Sequence, residues 1–155
     1  MTTVILLDEK ISTLGFTPPL CIESGTSVGE VVEQIRQHNV GCVLVVRQSA
    51  VIGIMTERDV LMKVVARDVK YDEPVDSFMT PNPLTLGPDH SVGEAIALMN
   101  REKFRHVPIV RPDTGEVLAV FSIKDIIDYL VESFPEKVIN LPPRPHQTMR
   151  TREGA

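Results

Sequence analysis

The sequence predicts a mixed α/β (α+β) fold in which a β-α-β-β-α unit is duplicated within one chain. The sequence Ser-Val-Gly-Glu at residues 27–30 recurs at residues 91–94. Residues 53–59, which lead from an apolar run into a Thr-x-x-Asp sequence, recur in altered form at residues 119–125. A unit of this size cannot cover its own apolar faces, so the two copies are expected to pack together.

The first repeat, residues 20–66, begins with a short extended segment at residues 20–22. Ser27 then starts an amphipathic helix, because apolar residues follow it at three- and four-residue spacing. Asn39 and Gly41 are expected to end this helix. Its apolar face consists of Val28, Val31, Val32 and Ile35.

A buried hairpin is expected next in the first repeat. Residues 42–46 and 51–55 are apolar throughout and are separated by four turn residues, which is typical of two strands buried on both faces. Thr56 then starts a second helix. This helix is expected to bury Val60, Leu61, Val64 and Val65.

The second repeat, residues 84–134, follows the same order of elements. Ser91 starts its first helix, residues 107–110 form a strand, and the hairpin turn at residues 111–116 is two residues longer than its counterpart. Insertions are tolerated best in such turns. The expected helix faces are Val92, Ala95, Ile96 and Met99, and then Ile126, Ile127, Leu130 and Val131.

Three further segments flank and join the repeats. The N-terminal segment, residues 1–19, is expected to contain a short helix before Pro18 and Pro19. The linker, residues 67–83, is charged and turn-rich, with one helical turn predicted near residues 75–79. The C-terminal segment, residues 135–155, is rich in proline and has no periodic apolar face, which predicts an arm or a disordered tail.

Composition narrows the class of protein. The chain has 155 residues, of which 43% are hydrophobic and 24% charged, with a net charge of -5. An acidic balance argues against a general nucleic-acid-binding protein. No leader and no run long enough to span a bilayer is visible, so we expect a cytoplasmic protein that does not bind membranes. Cys21 and Cys42 lack metal-ligand spacing and are expected to be small buried thiols.

The two helix starts that contain an acid allow two interpretations. Thr56 with Asp59, and Ser122 with Asp125, have the spacing of a capping box, in which the hydroxyl caps a backbone amide and the acid reaches back. Such a turn also offers free amides and a helix dipole to a phosphate, and a carboxylate to a sugar diol. Two copies in register favour a binding role in addition to capping.

The duplicated pattern resembles the CBS domain, which occurs as tandem pairs called Bateman modules. Residues 53–59, Gly-Ile-Met-Thr-Glu-Arg-Asp, resemble the family's Gly-apolar-apolar-Thr/Ser-x-x-Asp sequence, and residues 105–110, Arg-His-Val-Pro-Ile-Val, resemble its second-strand sequence. The resemblance covers about residues 4–134. It implies a CBS-domain pair that forms a disc-shaped homodimer and binds adenosine-containing ligands in its clefts.

The resemblance also implies roles for individual residues. Asp59 and Asp125 would hold ribose hydroxyls, and Thr56 and Ser122 would lie by the ribose or the α-phosphate. The implied phosphate contacts are Arg58, Lys124, Arg105 and His106. The implied adenine contacts are Val107, Pro108 and the segment from Thr80 to Leu84.

The two repeats depart from the family pattern in different ways. Gly41 and Cys42 stand in the first repeat where Arg105 and His106 stand in the second, and Ala119 stands where the first repeat has Gly53. The cleft of the second repeat would also contain Arg105, His106 and Pro108. We therefore expect Asp125→Asn to cause a larger loss of nucleotide response than Asp59→Asn.

Three functions remain open from the sequence alone. An enzyme is disfavoured, because the nucleophile-elbow, phosphate-loop and zinc-protease motifs are absent. The favoured function is a stand-alone regulatory module for AMP, ADP, ATP, NAD or S-adenosylmethionine that signals to an effector protein and needs no catalytic cofactor. The alternative is a dimerisation adaptor with degenerate clefts and no ligand.

Overall fold

The computed structural model describes residues 7–15 and 18–133. Leu7 and Asp8 are helical and lead into a 3-10 helix at Ile11–Leu14. The rest of the helix expected within residues 1–15, and the tail expected at residues 135–155, lie outside the described residues.

The first repeat forms the elements that its pattern predicts. They are β1 (Cys21–Glu23), α1 (Val28–His38), β2 (Cys42–Arg47) and β3 (Ala50–Thr56). The Ser27 hydroxyl accepts a hydrogen bond from the backbone N–H of Glu30 and so caps α1. Asn39 ends the helix in the left-handed conformation, which asparagine tolerates better than most residues.

The first sheet contains four strands in sequence order. β1 is parallel to β2, β2 is antiparallel to β3, and the short strand β4 (Thr80–Pro81) is antiparallel to β3. The β2–β3 turn has two residues, Gln48 and Ser49, where four were expected. Both have positive φ, which matches the tight turns whose twist suits an antiparallel hairpin.

The helix after β3 differs from its prediction. It starts as an α-helix, α2 (Glu57–Asp59), and continues as a π-helix over Val60–Val65. Val64 is fully buried, whereas Leu61 and Val65 are exposed. The prediction of burial was therefore wrong for these two residues. A π-helix has more residues per turn than an α-helix, so Leu61 and Val65 do not lie on the same side as Val64, which packs in the core of the first repeat.

The second repeat contains α3 (Val92–Glu102), β5 (His106–Val110), β6 (Val117–Ser122) and α4 (Ile123–Ser133). β5 and β6 form an antiparallel pair. The counterpart of β1 is reduced to a parallel bridge between Leu86 and Ile109. On α4, Ile126 is buried, but Ile127 and Val131 are exposed, contrary to prediction. Spaced by four residues, they form a separate stripe beside the buried face.

The repeats exchange the segments that precede them. Ile11 is fully buried in the core of the second repeat, and the backbone N–H of Val92 donates to the carbonyl of Glu9 (2.8 Å). The linker residue Val75 is fully buried in the core of the first repeat, and Val28 donates to Glu73 over the same distance. Glu73 and Val75 of the linker thus make the same contacts with the first repeat that Glu9 and Ile11, 64 residues earlier, make with the second.

The core has three parts. One lies under each sheet, with Phe121 in the second repeat and Met55 in the first among its largest members. The third joins the repeats, because Leu44 and Ile54 of the first sheet pack with Val120 of the second. This contact holds the repeats together and sets the walls of the cleft described below.

Candidate functional site

A cavity of about 960 Å³ lies between the repeats. The first repeat supplies Gly41, Ile54 and the start of α2 at residues 56–59. Thr80 and residues 82–84 form a second wall, and residues 102–106, which link α3 to β5, form a third. The cavity therefore lies between the start of α2 in the first repeat and the loop that precedes β5 in the second.

Thr56 and Asp59 form the capping box that the sequence predicts. The backbone N–H of Asp59 donates to the Thr56 hydroxyl (3.1 Å), and the backbone N–H of Thr56 donates to Asp59 Oδ2 (3.0 Å). Lys63 Nζ lies 3.4 Å from Asp59 Oδ1. The Asp59 side chain keeps 19% of its surface exposed. A carboxylate can accept about four hydrogen bonds, so capping leaves acceptor capacity for a ligand.

Three cations line this cavity, namely Arg58, Lys103 and Arg105. Within residues 7–15 and 18–133, none of the three forms a salt bridge, whereas other lysine and arginine residues do. Lys103 ends α3 in the left-handed conformation, and Arg105 follows two residues later. The loop that carries both lines the cavity together with the start of α2. Cations without a carboxylate partner can bind an anion without first breaking an ion pair.

His106 is half-buried at the floor of the cavity, at the start of β5. Burial is the main cause that lowers the pKa of His106, and the nearby charge of Arg105 lowers it further. The carboxylates of Asp125 and Glu57 act in the opposite direction but do not outweigh the burial. The ring is therefore mainly neutral at pH 7. A Cβ on Gly41 would lie 3.3 Å from His106 Nε2 and 3.6 Å from Glu57 Oε1. Glycine at this position leaves room for both side chains.

The second helix start does not contribute to this cavity. Asp125 Oδ2 accepts from the backbone N–H of Ser122 (2.8 Å), and the Ser122 hydroxyl accepts from the backbone N–H of Asp125 (3.3 Å). Lys124 pairs with Asp128 (3.1 Å) and is highly exposed. None of Ser122, Lys124 and Asp125 lines the cavity that contains Arg105 and His106. The Asp125 carboxylate still acts to raise the pKa of His106, and Ser122 pairs with His106 across β5 and β6, so the expected grouping of His106 with Asp125 stays a prediction.

Two further expected contacts, Val107 and Pro108, are not among the residues that line this cavity. Val107 and Pro108 are buried in β5, and the Pro108 carbonyl accepts a hydrogen bond from the Leu86 N–H (3.1 Å). Thr80 and Leu84 do line the cavity, as expected for their segment. A Cβ on Gly53 would lie 2.2 Å from Met79 Sδ, so this glycine admits a side chain of the linker.

Sequence reasoning did not assign six of the lining residues, namely Gly41, Ile54, Glu57, Glu102, Lys103 and Phe104. Lys103 and Phe104 stand between a helix end and a strand, where no motif marks them. A comparison of the two repeats offers a signal for Lys103. The counterparts of Lys103 and Arg105, 64 residues earlier, are Asn39 and Gly41. Those counterparts carry no charge, so the two clefts of the pair cannot be equivalent.

The cysteines differ from each other. Cys42 is buried, as predicted, and burial raises its pKa to about 12. Cys21 is exposed, contrary to prediction, because it alternates with the buried Ile22 along β1 and faces outward.

Among the described residues, no helix is long and apolar enough to cross a membrane, and no group of three or more His, Cys, Asp and Glu could hold a metal ion.

Comparison with known proteins agrees with this fold. The family model described as the CBS domain matches residues 11–66 and 75–132. The chain belongs to the CBS domain family, and it contains two copies of the domain. The matched segments include Ile11 and Val75, the two exchanged core residues.

Three similar proteins illustrate the relationship. An uncharacterised 17.7 kDa protein of Acidianus ambivalens is 30% identical over 79% of this chain and 74% of its own length. A crystal structure of an uncharacterised conserved protein from Pyrococcus horikoshii has a TM-score of 0.72 and 25% identity, and the match covers 79% of this chain and 92% of the other. A CBS domain protein from Pyrobaculum aerophilum, solved in complex with AMP, has a TM-score of 0.71 and 25% identity, with coverage of 80% and 97%.

Proposed function

We propose that this protein is a non-catalytic regulatory module that binds an adenosine nucleotide in the cavity between its repeats. The observation that carries the proposal is that the Asp59 carboxylate, from the first repeat, lines the same cavity as three cations that form no salt bridge with any residue the structure describes. One of them, Arg58, belongs to the first repeat, and Lys103 and Arg105 belong to the second. A nucleotide needs both kinds of group, an acceptor for the ribose diol and cations for phosphate.

The cavity offers a position for each part of the ligand. Thr56 and Asp59 would bind the ribose, and Arg58, Lys103, Arg105 and His106 would bind phosphate. Leu84 is about half exposed and, with Ile54, gives the cavity an apolar wall suited to an adenine ring. The AMP complex of the Pyrobaculum aerophilum protein, which has the same fold, supports an adenosine nucleotide as the ligand.

The first test is binding of AMP to the wild-type protein. A ligand that binds only the native state stabilises it by about 2.7 kcal/mol at 100 times its dissociation constant. We therefore expect AMP to raise the melting temperature by several degrees, and calorimetric titration to give a saturable isotherm. GMP and inorganic phosphate serve as controls and should bind more weakly. If no adenosine compound shifts the melting temperature at millimolar concentration, the proposal is wrong and the adaptor alternative is favoured.

A specific observation favours an interaction role beside ligand binding. Two helices carry exposed apolar stripes, one with Leu61 (58% exposed) and Val65 (55%), the other with Ile127 (53%) and Val131 (46%). Both stripes lie on the helices that follow the capping boxes. Apolar stripes of this kind are typical of protein interfaces. We propose that a second copy of the chain covers them and that an effector protein responds to ligand-dependent changes in the dimer.

The dimer is tested by mutation of one stripe. Light scattering of the wild type at micromolar concentration should give twice the monomer mass. Ile127→Lys introduces a charge into the stripe and should give a monomer, whereas Gln37→Lys, on the exposed face of α1, should leave the dimer intact. A wild type that stays monomeric at high concentration, or a dimer unaffected by Ile127→Lys, would contradict this interface.

A further inference from the structure

The cavity contains the carboxylate of Glu57, which lies close to His106. Glu57 is the first residue of α2, and its backbone N–H donates to the Gly41 carbonyl (3.0 Å), which fixes its position. In the part of the chain that the structure describes, no Lys or Arg forms a salt bridge with Glu57. Its Oε1 lies beside Gly41, as does His106 Nε2. The carboxylate therefore stands next to the imidazole, in the cavity that the three cations also line.

The other two acids of the cavity are already balanced. Asp59 is paired with Lys63 at 3.4 Å, and Glu102 is paired with Arg101 Nε at 3.1 Å. Neither Lys63 nor Arg101 lines the cavity. The three cations Arg58, Lys103 and Arg105 and the single carboxylate of Glu57 thus leave a surplus of two positive charges, with His106 neutral. A phosphate monoester carries about −1.5 to −2 charges at pH 7.

We infer that Glu57 limits this site to adenosine ligands with a single phosphate group. Each phosphate added beyond the first brings further negative charge into a site whose cationic surplus is already matched, and Glu57 repels it. The inference rests on the proposed function, since it concerns the same cavity. The second repeat has no carboxylate at the corresponding position, because Ile123 stands where the first repeat has Glu57.

Calorimetric titration with AMP, ADP and ATP tests the inference. The titrations are made without magnesium, in EDTA, because a metal would mask the extra charge. We expect the wild type to bind AMP at least about tenfold more tightly than ATP. Glu57→Gln keeps the size and the backbone hydrogen bond, and it should raise ATP affinity about tenfold while changing AMP affinity only about twofold, more so at low salt. Glu57→Ile, which copies the second repeat, should have the same effect.

Glu102→Gln is the matched control, because it removes a balanced acid from the same cavity. It should leave the ratio of AMP to ATP affinity within about twofold of the wild-type ratio. A wild type that binds ATP as tightly as AMP, or a ratio unchanged by Glu57→Gln while AMP still binds, would overturn the inference and leave the proposed function intact. A wild type that binds no adenosine nucleotide would overturn both.

Discussion

Replacement of Asp59 by asparagine is expected to weaken AMP binding by about 10- to 100-fold. Hydrogen bonds to a charged group are worth about 1.5–3 kcal/mol, and asparagine lacks the charged acceptor that a ribose diol prefers. The amide oxygen of asparagine can still cap the Thr56 N–H, so the ligand-free melting temperature should change little. Calorimetric titration and thermal unfolding of the same preparation measure the two effects separately.

Asp125→Asn is the matched control for this experiment. Asp125 has the same role in the capping box of the second repeat, but it does not line the cavity that contains the three cations. We expect the smaller loss of AMP binding from this variant, the reverse of what the sequence alone suggests. If the melting temperatures of both variants fall sharply while AMP binding survives, the two acids act only as caps.

Replacement of Ile11 by alanine is expected to lower the free energy of unfolding by about 2–5 kcal/mol, the usual cost of truncating a buried isoleucine. Ile11 precedes the first repeat in the chain, yet it is fully buried in the core of the second, in the same cluster as Val92 and Phe121. A loss of this size would be a large part of the stability of a small domain.

Urea unfolding measures the effect of Ile11→Ala, and Ser12→Ala is its control. Ser12 is the exposed neighbour of Ile11 in the same 3-10 helix, so its replacement should change the free energy of unfolding by less than about 0.5 kcal/mol. Equal, small effects from both variants would contradict the exchange of segments between the repeats.

Local patterns predicted the elements of each repeat well. Ser27 and Ser91 cap helices, and Thr56 forms a capping box with Asp59, because these contacts depend only on residues three apart in the chain. Continuous apolar runs predicted the hairpins for the same reason. The duplication itself was visible because both copies keep this spacing, and the family match confirms it.

Contacts between the repeats were beyond local reasoning. Arg105 follows α3 of the second repeat, so the sequence suggested that it serves Asp125 of that repeat. Packing of the two sheets also brings Arg105 into the cavity that contains Asp59. The exchange of Ile11 and Val75 between cores escaped notice for the same reason, and the π-helix at Val60–Val65 left exposed two residues that helical periodicity assigned to the core.

A crystal structure of the protein grown with AMP tests the central claim most directly. We predict density for one nucleotide in the cavity between the repeats, with the ribose hydroxyls on the Asp59 carboxylate and the phosphate among Arg58, Lys103 and Arg105. Density for AMP beside Asp125 alone, with the cavity at Asp59 empty, would contradict the claim.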